Sequence, residues 1–189
     1  MRRAGGRRGL RTQSTPTVPG SMGELSNAIR LVALDFDGVL TDDRVIVSQD
    51  GTEAVVCSRA DGLGVYLMRT AGLEVLILSG ETNPVVAARG RKMGVEVFQG
   101  HTDKEPVLRE IMETRGLRPE EVVFVGNDVN DLGCLRLAGV SAVPADAHPE
   151  AAAAADIVLG RPGGRGAIRE LADLVLAARR DQTSAGASL

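Results

Sequence analysis

The stretch LVALDFDGVLTDD, Leu31 to Asp43, ends an apolar run in paired carboxylates. Leu31–Leu34 reads as a strand buried on both faces, where unpaired charge is costly. Asp35 and Asp37 lie two residues apart, so on an extended chain they project to the same side, and Gly38 lets the backbone turn away behind them. They form one site, and that site needs a partner of opposite charge. A calcium loop is not that partner's home, because such a loop takes glycine at its sixth position and glutamate at its twelfth, where this chain has Leu40 and Ile46. Further along, Ser79-Gly80 offers a hydroxyl and free backbone N–H groups suited to phosphate oxygens. GNDVND supplies oxygen ligands for a hard cation at Asn127, Asp128 and Asp131, and Lys104 offers a positive charge. Taken singly these are a turn, a loop and a solvated lysine; their order and placement at strand ends make them a set.

The elements that must position this set follow from the apolar pattern. Strand-like runs recur at Leu31–Leu34, Val75–Leu78, Val95–Phe98, Val122–Val125, Ser141–Val143 and Ile157–Leu159. Helical patterns separate most of them. DGLGVYLMRTAG places Leu63, Leu67 and Met68 on one helical face and stops at Gly72. NPVVAARGRKMG has Pro84 in its first turn and Gly94 beyond its end, and TDKEPVLREIMETRGL opens on Thr102 as a cap and closes at Gly116. Alternating strands and helices imply an α/β fold, a three-layer Rossmann-like parallel sheet with helices on both faces. The ligand site of such a sheet lies beyond the carboxyl ends of its strands, at the switch in strand order. One segment departs from the alternation. RVIVSQDGTEAVVCS, Arg44–Ser58, alternates apolar residues on both sides of Asp50-Gly51 and predicts a β-hairpin directly after the first motif, with no large cap domain.

Composition narrows the function classes. A chain of 189 residues suits one domain with a sizeable core. Net charge is -3 and the folded part shows no basic stripe, which argues against a nucleic-acid partner; 2% aromatic residues also leave no stacking platform for single strands. Residues 1–28, rich in Arg, Gly, Ser, Thr and Pro, read as a disordered leader without the apolar run of a secretion signal. Residues 29–180 read as the folded domain and 181–189 as a flexible tail. The expected location is cytoplasmic, with no membrane partner. Cys57, Cys134, His101 and His148 stand in unrelated contexts and form no zinc set; both cysteines read as buried and inert.

Four motifs in this order, DFDGVLTD, Ser79, Lys104 and GNDVND, resemble the haloacid dehalogenase superfamily of aspartate-nucleophile phosphatases, over about Leu31 to Leu176. The hairpin in place of a cap, with VSAVPADAHPEAAAAADIV and PGGRGAIRE, is similar to the capless subfamily of the 3-deoxy-D-manno-octulosonate 8-phosphate phosphatases. That subfamily also takes in nonulosonate 9-phosphate phosphatases and the C-terminal module of some sialic acid cytidylyltransferases. The resemblance implies hydrolysis of a phosphorylated acidic keto-sugar, octulosonate 8-phosphate first and nonulosonate 9-phosphate second, with a non-catalytic oligomerisation module as the competing class. It implies Asp35 as nucleophile and Asp37 as the acid and base. It also implies Ser79, Gly80 and Lys104 on the phosphoryl group, and Mg²⁺ held by Asp35, the Asp37 main-chain carbonyl and the fourth motif, with Asp131 behind them. The direct bond from that motif falls to Asn127 by register or to Asp128 by charge. Relatives often carry Arg where this chain has Ala60, so the substrate's carboxylate is expected to meet Arg59 or Arg165. A homotetramer is implied, in which hairpins from several subunits cover one another and complete the sites.

Overall fold

The computed structural model describes residues 28–186. Its centre is a six-stranded parallel sheet in the order β5-β4-β1-β6-β7-β8, and a separate two-stranded antiparallel sheet is formed by β2 and β3. The parallel strands are β1 (Leu31–Leu34), β4 (Glu74–Leu78), β5 (Glu96–Phe98), β6 (Val122–Val125), β7 (Val140–Val143) and β8 (Ile157–Val158). Every residue of β1, β6 and β7 is buried, as continuous apolar runs covered on both faces must be. Leu34 of β1 stands in register with Ile77 of β4 on one side and Val125 of β6 on the other. The chain leaves β1 toward β4 and returns later to β6, so strand order reverses beside β1 and opens a crevice at its carboxyl end.

Among the described residues six helices cover the sheet: α1 (Arg59–Thr70), α2 (Pro84–Met93), α3 (Glu105–Thr114), α4 (Leu132–Leu137), α5 (Pro149–Ala154) and α6 (Ala167–Gly186). Val65 and Met68 of α1, Val86 of α2 and the Ile168–Val175 face of α6 pack against one side of the sheet. Leu108 and Ile111 of α3, Leu135 of α4 and Ala151 of α5 pack against the other. The three-layer reading therefore stands.

Three local expectations change. The packed face of α1 is Asp61, Gly64, Val65 and Met68, whereas Leu63 is 45% exposed. Gly64 sets that face, since a Cβ there would come within 2.8 Å of the Arg169 Cα and the Ile168 carbonyl, and its absence brings α1 close against α6. Asp61, fully buried, accepts from the Gly166 and Arg169 N–H groups at 3.1 Å and ties α1 to the start of α6. Thr102 does not cap α3; Lys104 occupies that position, without a side-chain cap bond, because its ammonium is drawn inward instead. Finally, α6 continues to Gly186, six residues into the stretch read as a tail, as no Pro and no internal Gly interrupts it. The leader lies outside the described residues, apart from Ala28.

The hairpin forms as expected, with β2 (Thr41–Val47) and β3 (Glu53–Cys57) joined through Gly51 at φ +82°. It starts three residues earlier than predicted, with a bulge between Thr41 and Val45. Val45, Ile46, Val47 and Val56 are all more than half exposed.

Candidate active site

Asp35 follows β1 directly, and its N–H donates to the Val125 carbonyl at 2.8 Å, holding the residue in the crevice between β1 and β6. Lys104, only 1% exposed, reaches in from the turn before α3. Its Nζ lies 2.6 Å from Asp35 Oδ1 and 2.7 Å from Asp131 Oδ1. A buried ammonium between two buried carboxylates is a structure that exists for its charge, since each group alone would be costly there. Burial works to lower the Lys104 pKa, but the two carboxylates outweigh it and hold the ammonium above its ordinary value. Burial, with the Asp131 charge adding, pushes Asp35 up to about 7 against the pull of Lys104.

Asp131 is also the spacer of the fourth motif. Its Oδ2 accepts from the N–H groups of Asn127 at 2.9 Å and Asp128 at 3.3 Å, so all the polar capacity of this fully buried side chain is directed at the site. Gly126 makes room for it, because a Cβ there would fall 2.5 Å from the Asp131 Cβ.

Asp37 sits in the turn after Asp35, partly buried. Burial raises its carboxyl above the ordinary value; a hydrogen bond from Thr41 opposes, and the charges of Glu81 and Asp43 add to the rise. Thr41 itself is fully buried, and its Oγ1 gathers three bonds: it accepts from Gly38 N and Asp43 N, each at 3.2 Å, and stands 3.3 Å from Asp37 Oδ1. Gly38 (φ +75°) closes the turn, and a side chain there would collide with the Asn127 amide. Asp43 holds φ +60° and is the one non-glycine residue in the left-handed region among those described.

Asn127 faces the two oxygens with which it was expected to hold a cation. Its amide fits in two orientations: with Nδ2 inward it donates to the Asp37 carbonyl at 3.0 Å and to Asp35 Oδ2 at 3.2 Å. With Oδ1 inward, three oxygens meet at those same separations, which without a cation would be repulsive. Ligands at the 2.0–2.1 Å typical of Mg²⁺ stand about 3 Å apart on neighbouring octahedral positions, so this oxygen set fits Mg²⁺. It consists of one carboxylate, one main-chain carbonyl and one amide. For that reason no cluster of three or more His, Cys, Asp or Glu side chains is found among the described residues. Asp128 instead caps the short 3₁₀ turn that follows, with its Oδ1 accepting from Val129 N at 2.6 Å.

Ser79 and Gly80 follow β4, the neighbour of β1. Ser79 is buried, its Oγ accepts from Glu81 N at 3.1 Å, and its hydroxyl hydrogen is left to donate. The structure thus brings Asp35, Asp37, Lys104, Asn127 and Asp131 together, with Ser79 and Gly80 at the adjoining strand end. It does not bring in Arg59 or Arg165 within one chain. Arg165 lies 3.4 Å from Asp42 Oδ2 beside Arg161 and Arg169, and Arg59 lines a separate depression with Tyr66, Arg89 and Lys92.

The cleft that opens from Asp37 has a volume of about 250 Å³ and is lined by Asp43, Arg44, Val45, Glu53, Val55, Glu81, Asn83 and Val85. Its walls are the hairpin and the start of α2, bridged where Asn83 Nδ2 donates to Glu53 Oε2 at 2.7 Å. None of these lining residues was predicted from sequence, since each is an ordinary surface type until the hairpin folds over the crevice. The cysteines lie in different settings: Cys134 is buried, with burial pushing its thiol up to about 12, while Cys57 is only half-buried.

A nucleophilic carboxylate, a second carboxylate with a raised pKa, a buried ammonium and a hard-cation cradle at one strand end suit phosphoryl transfer. Comparison with known proteins gives the same class. The model of the haloacid dehalogenase-like hydrolases matches residues 78–168. The 3-deoxy-D-manno-octulosonate 8-phosphate phosphatase of Salmonella typhimurium is 36% identical over 171 residues, 90% of each chain. Among solved structures, a haloacid dehalogenase family hydrolase from Streptomyces avermitilis is 49% identical with a TM-score of 0.78, over 80% of this chain and 87% of that one. The octulosonate 8-phosphate phosphatase of Moraxella catarrhalis, solved with magnesium, phosphate and its sugar, is 28% identical with a TM-score of 0.81, over 88% and 96%. A cobalt-bound octulosonate 8-phosphate phosphatase from Haemophilus influenzae is 34% identical with a TM-score of 0.79, over 83% and 92%.

Proposed function

Because the chain belongs to the haloacid dehalogenase-like hydrolases, among the octulosonate 8-phosphate phosphatases, we propose that it is an Mg²⁺-dependent phosphatase of a phosphorylated acidic keto-sugar, with 3-deoxy-D-manno-octulosonate 8-phosphate as the first substrate and a nonulosonate 9-phosphate as the second. The observation that carries the reading is the buried Asp35–Lys104–Asp131 array next to Asp37 at the end of the central strand. A non-catalytic module would have no chemical need for that array, which well-packed apolar side chains could replace without loss of stability.

An oxygen of Asp35 attacks phosphorus to give an aspartyl-phosphate, and the ester oxygen leaves with a proton from Asp37. Asp37, now a carboxylate, takes a proton from the water that hydrolyses the acyl phosphate. Ser79 Oγ, the Gly80 N–H and Lys104 hold the non-bridging phosphoryl oxygens, and Asp131 keeps Lys104 in place. Asp35, the Asp37 carbonyl and Asn127 would hold the metal, Asn127 being favoured over Asp128 by the meeting of its amide with those two oxygens. Bound there, Mg²⁺ neutralises phosphate charge and orients in-line attack.

The substrate's carboxylate needs a cation, and among the described residues lining the acidic cleft the only cationic side chain is Arg44, itself paired with Asp42. Arg59, beside Arg89 and Lys92, or Arg165, beside Arg161 and Arg169, would serve from a neighbouring subunit. The exposed apolar hairpin supports that assembly, a homotetramer in which copies cover one another. No helix among the described residues is long and apolar enough to cross a membrane, and we propose a cytoplasmic location.

The test is phosphate release with Mg²⁺ across a panel of phosphate esters, with Asp35→Asn as control. Keto-acid sugar phosphates should stand well above glucose 6-phosphate and nucleotides, and Asp35→Asn should be inactive on all. A flat panel would refute the substrate class; an active Asp35→Asn would refute the mechanism.

A further inference from the structure

The hydroxyl of Thr41 is fully buried inside the turn that carries Asp37, and its hydrogen-bonding capacity can be counted in full. A hydroxyl has one hydrogen to donate and two lone pairs to accept with. The N–H groups of Gly38 and Asp43, which can only donate, both point at Oγ1 from 3.2 Å and occupy the two lone pairs. The single hydrogen is thereby left for the remaining neighbour, Asp37 Oδ1 at 3.3 Å. The polarity of the Thr41–Asp37 bond is fixed by its surroundings: Thr41 donates and Oδ1 accepts. A proton on Oδ1 would face a hydrogen already there and an oxygen with no lone pair to offer.

We propose that Thr41 is a positioning residue that assigns the transferable proton of Asp37 to Oδ2. The proposal rests on the reading of Asp37 as general acid. Asp37 lines the cleft, so its second oxygen is the one available to the leaving group. As the bond from phosphorus to the ester oxygen breaks and the bond from phosphorus to Asp35 forms, the electron pair goes to the leaving oxygen. The proton on Oδ2 follows it. Asp37 becomes a carboxylate whose Oδ1 still receives the Thr41 hydrogen, so the charge that develops meets a donor already in place. In the second half-reaction the water's proton returns to Oδ2 and the starting arrangement is restored. Val at position 41 would match Thr in shape and remove this direction, and Ser would keep it.

The experiment compares an ester whose leaving group needs protonation, the alkyl phosphate of the panel that is turned over fastest, with 4-nitrophenyl phosphate, whose leaving group does not. Thr41→Val should lower kcat/KM on the alkyl ester by roughly ten- to a hundred-fold, the range for losing a hydrogen bond to a charged group; kcat/KM ends with the transfer to Asp35 and so leaves out the hydrolysis that both esters share. The aryl ester should be largely unaffected, and Thr41→Ser should restore the alkyl rate. Equal losses on both esters, no loss on either, or a serine variant as slow as valine would overturn the proposal. Should Thr41→Val not fold, Thr41→Cys, which fills the site with a weak donor, carries the same comparison. Asp37→Asn separates the two claims. If its kcat/KM shows no selectivity for the alkyl ester, the general-acid reading falls; if it is selective and Thr41→Val is not, the role of Thr41 alone falls.

Discussion

Lys104 shows what a single residue does in this site. Its ammonium is bonded to both Asp35 and Asp131, and all three side chains are at most 7% exposed. Replacing it by Met keeps the bulk and removes the charge, leaving two carboxylates buried without their partner. Breaking a buried pair from one side costs about 3–5 kcal/mol, and Lys104→Met is expected to lose stability on that order together with activity. Urea unfolding of the variant checks it; an unchanged midpoint would mean that the two carboxylates find other compensation. Asp35, Asp37, Ser79 and Lys104 were legible in the sequence because each closes or follows an apolar strand or opens a helix, and the carboxyl ends of parallel strands share one crevice. Thr41 was not. A threonine four residues after Asp37 has no pattern of its own, and only the closed turn shows its hydroxyl surrounded. Arg59 was chosen as the arginine beside Ala60, where relatives carry Arg, and Arg165 as the cation of the Gly-rich PGGRG segment; neither reason says which side of a fold a long exposed side chain will take.

At the scale of elements, the loop before α6 braces the turn that carries Asp37, and the hairpin walls the cleft. The loop packs Gly163 and Gly164 against the backbone of Gly38 and Thr41, with Gly164 N donating to the Val39 carbonyl at 2.9 Å, so there is no room for a side chain between them. The hairpin has the opposite character. Ile46 and Val47 are each 61% exposed, on a two-stranded sheet that would be marginal in water alone. If hairpins of several copies cover one another, Val47→Asp places a charge in that contact, and the assembly should dissociate while each subunit keeps its fold. Light scattering with circular dichroism reads both, and a native protein already monomeric and fully active would remove the tetramer. The parallel sheet and its two helical layers were legible because buried parallel strands are continuous apolar runs. The packed face of α1 was not, since its closest approach is made by Gly64, a residue that hydrophobic periodicity leaves out.

For the molecule as a whole, the site makes stability depend on metal and pH together. Burial pushes the Asp35 carboxyl up to about 7, above its ordinary value, so it favours the fold while protonated. That contribution is present below the ordinary carboxylate range and is lost as pH rises through about 7. Mg²⁺ binds the ionised form and should return what ionisation removes. The rise in Tm on adding Mg²⁺ to EDTA-treated protein should be larger at about pH 8 than at about pH 5. Equal rises at both would show that Asp35 does not govern the linkage. The position of β1 has one more consequence, in the order of synthesis. Arg30, just before β1, bonds Glu121, just before β6, across 91 residues of chain. At about 5–20 residues per second, β1 leaves the ribosome roughly 5 to 18 s ahead of the strand that covers its second edge. During that interval it is an apolar strand with an open edge, the type of segment that pairs with its own copies. Four carboxylates follow it within nine residues, at Asp35, Asp37, Asp42 and Asp43. Charges placed beside an unavoidable apolar strand keep nascent chains apart. Two of the four, Asp35 and Asp37, are those proposed to act on phosphate, so the same carboxylates would also guard the unfinished sheet during synthesis.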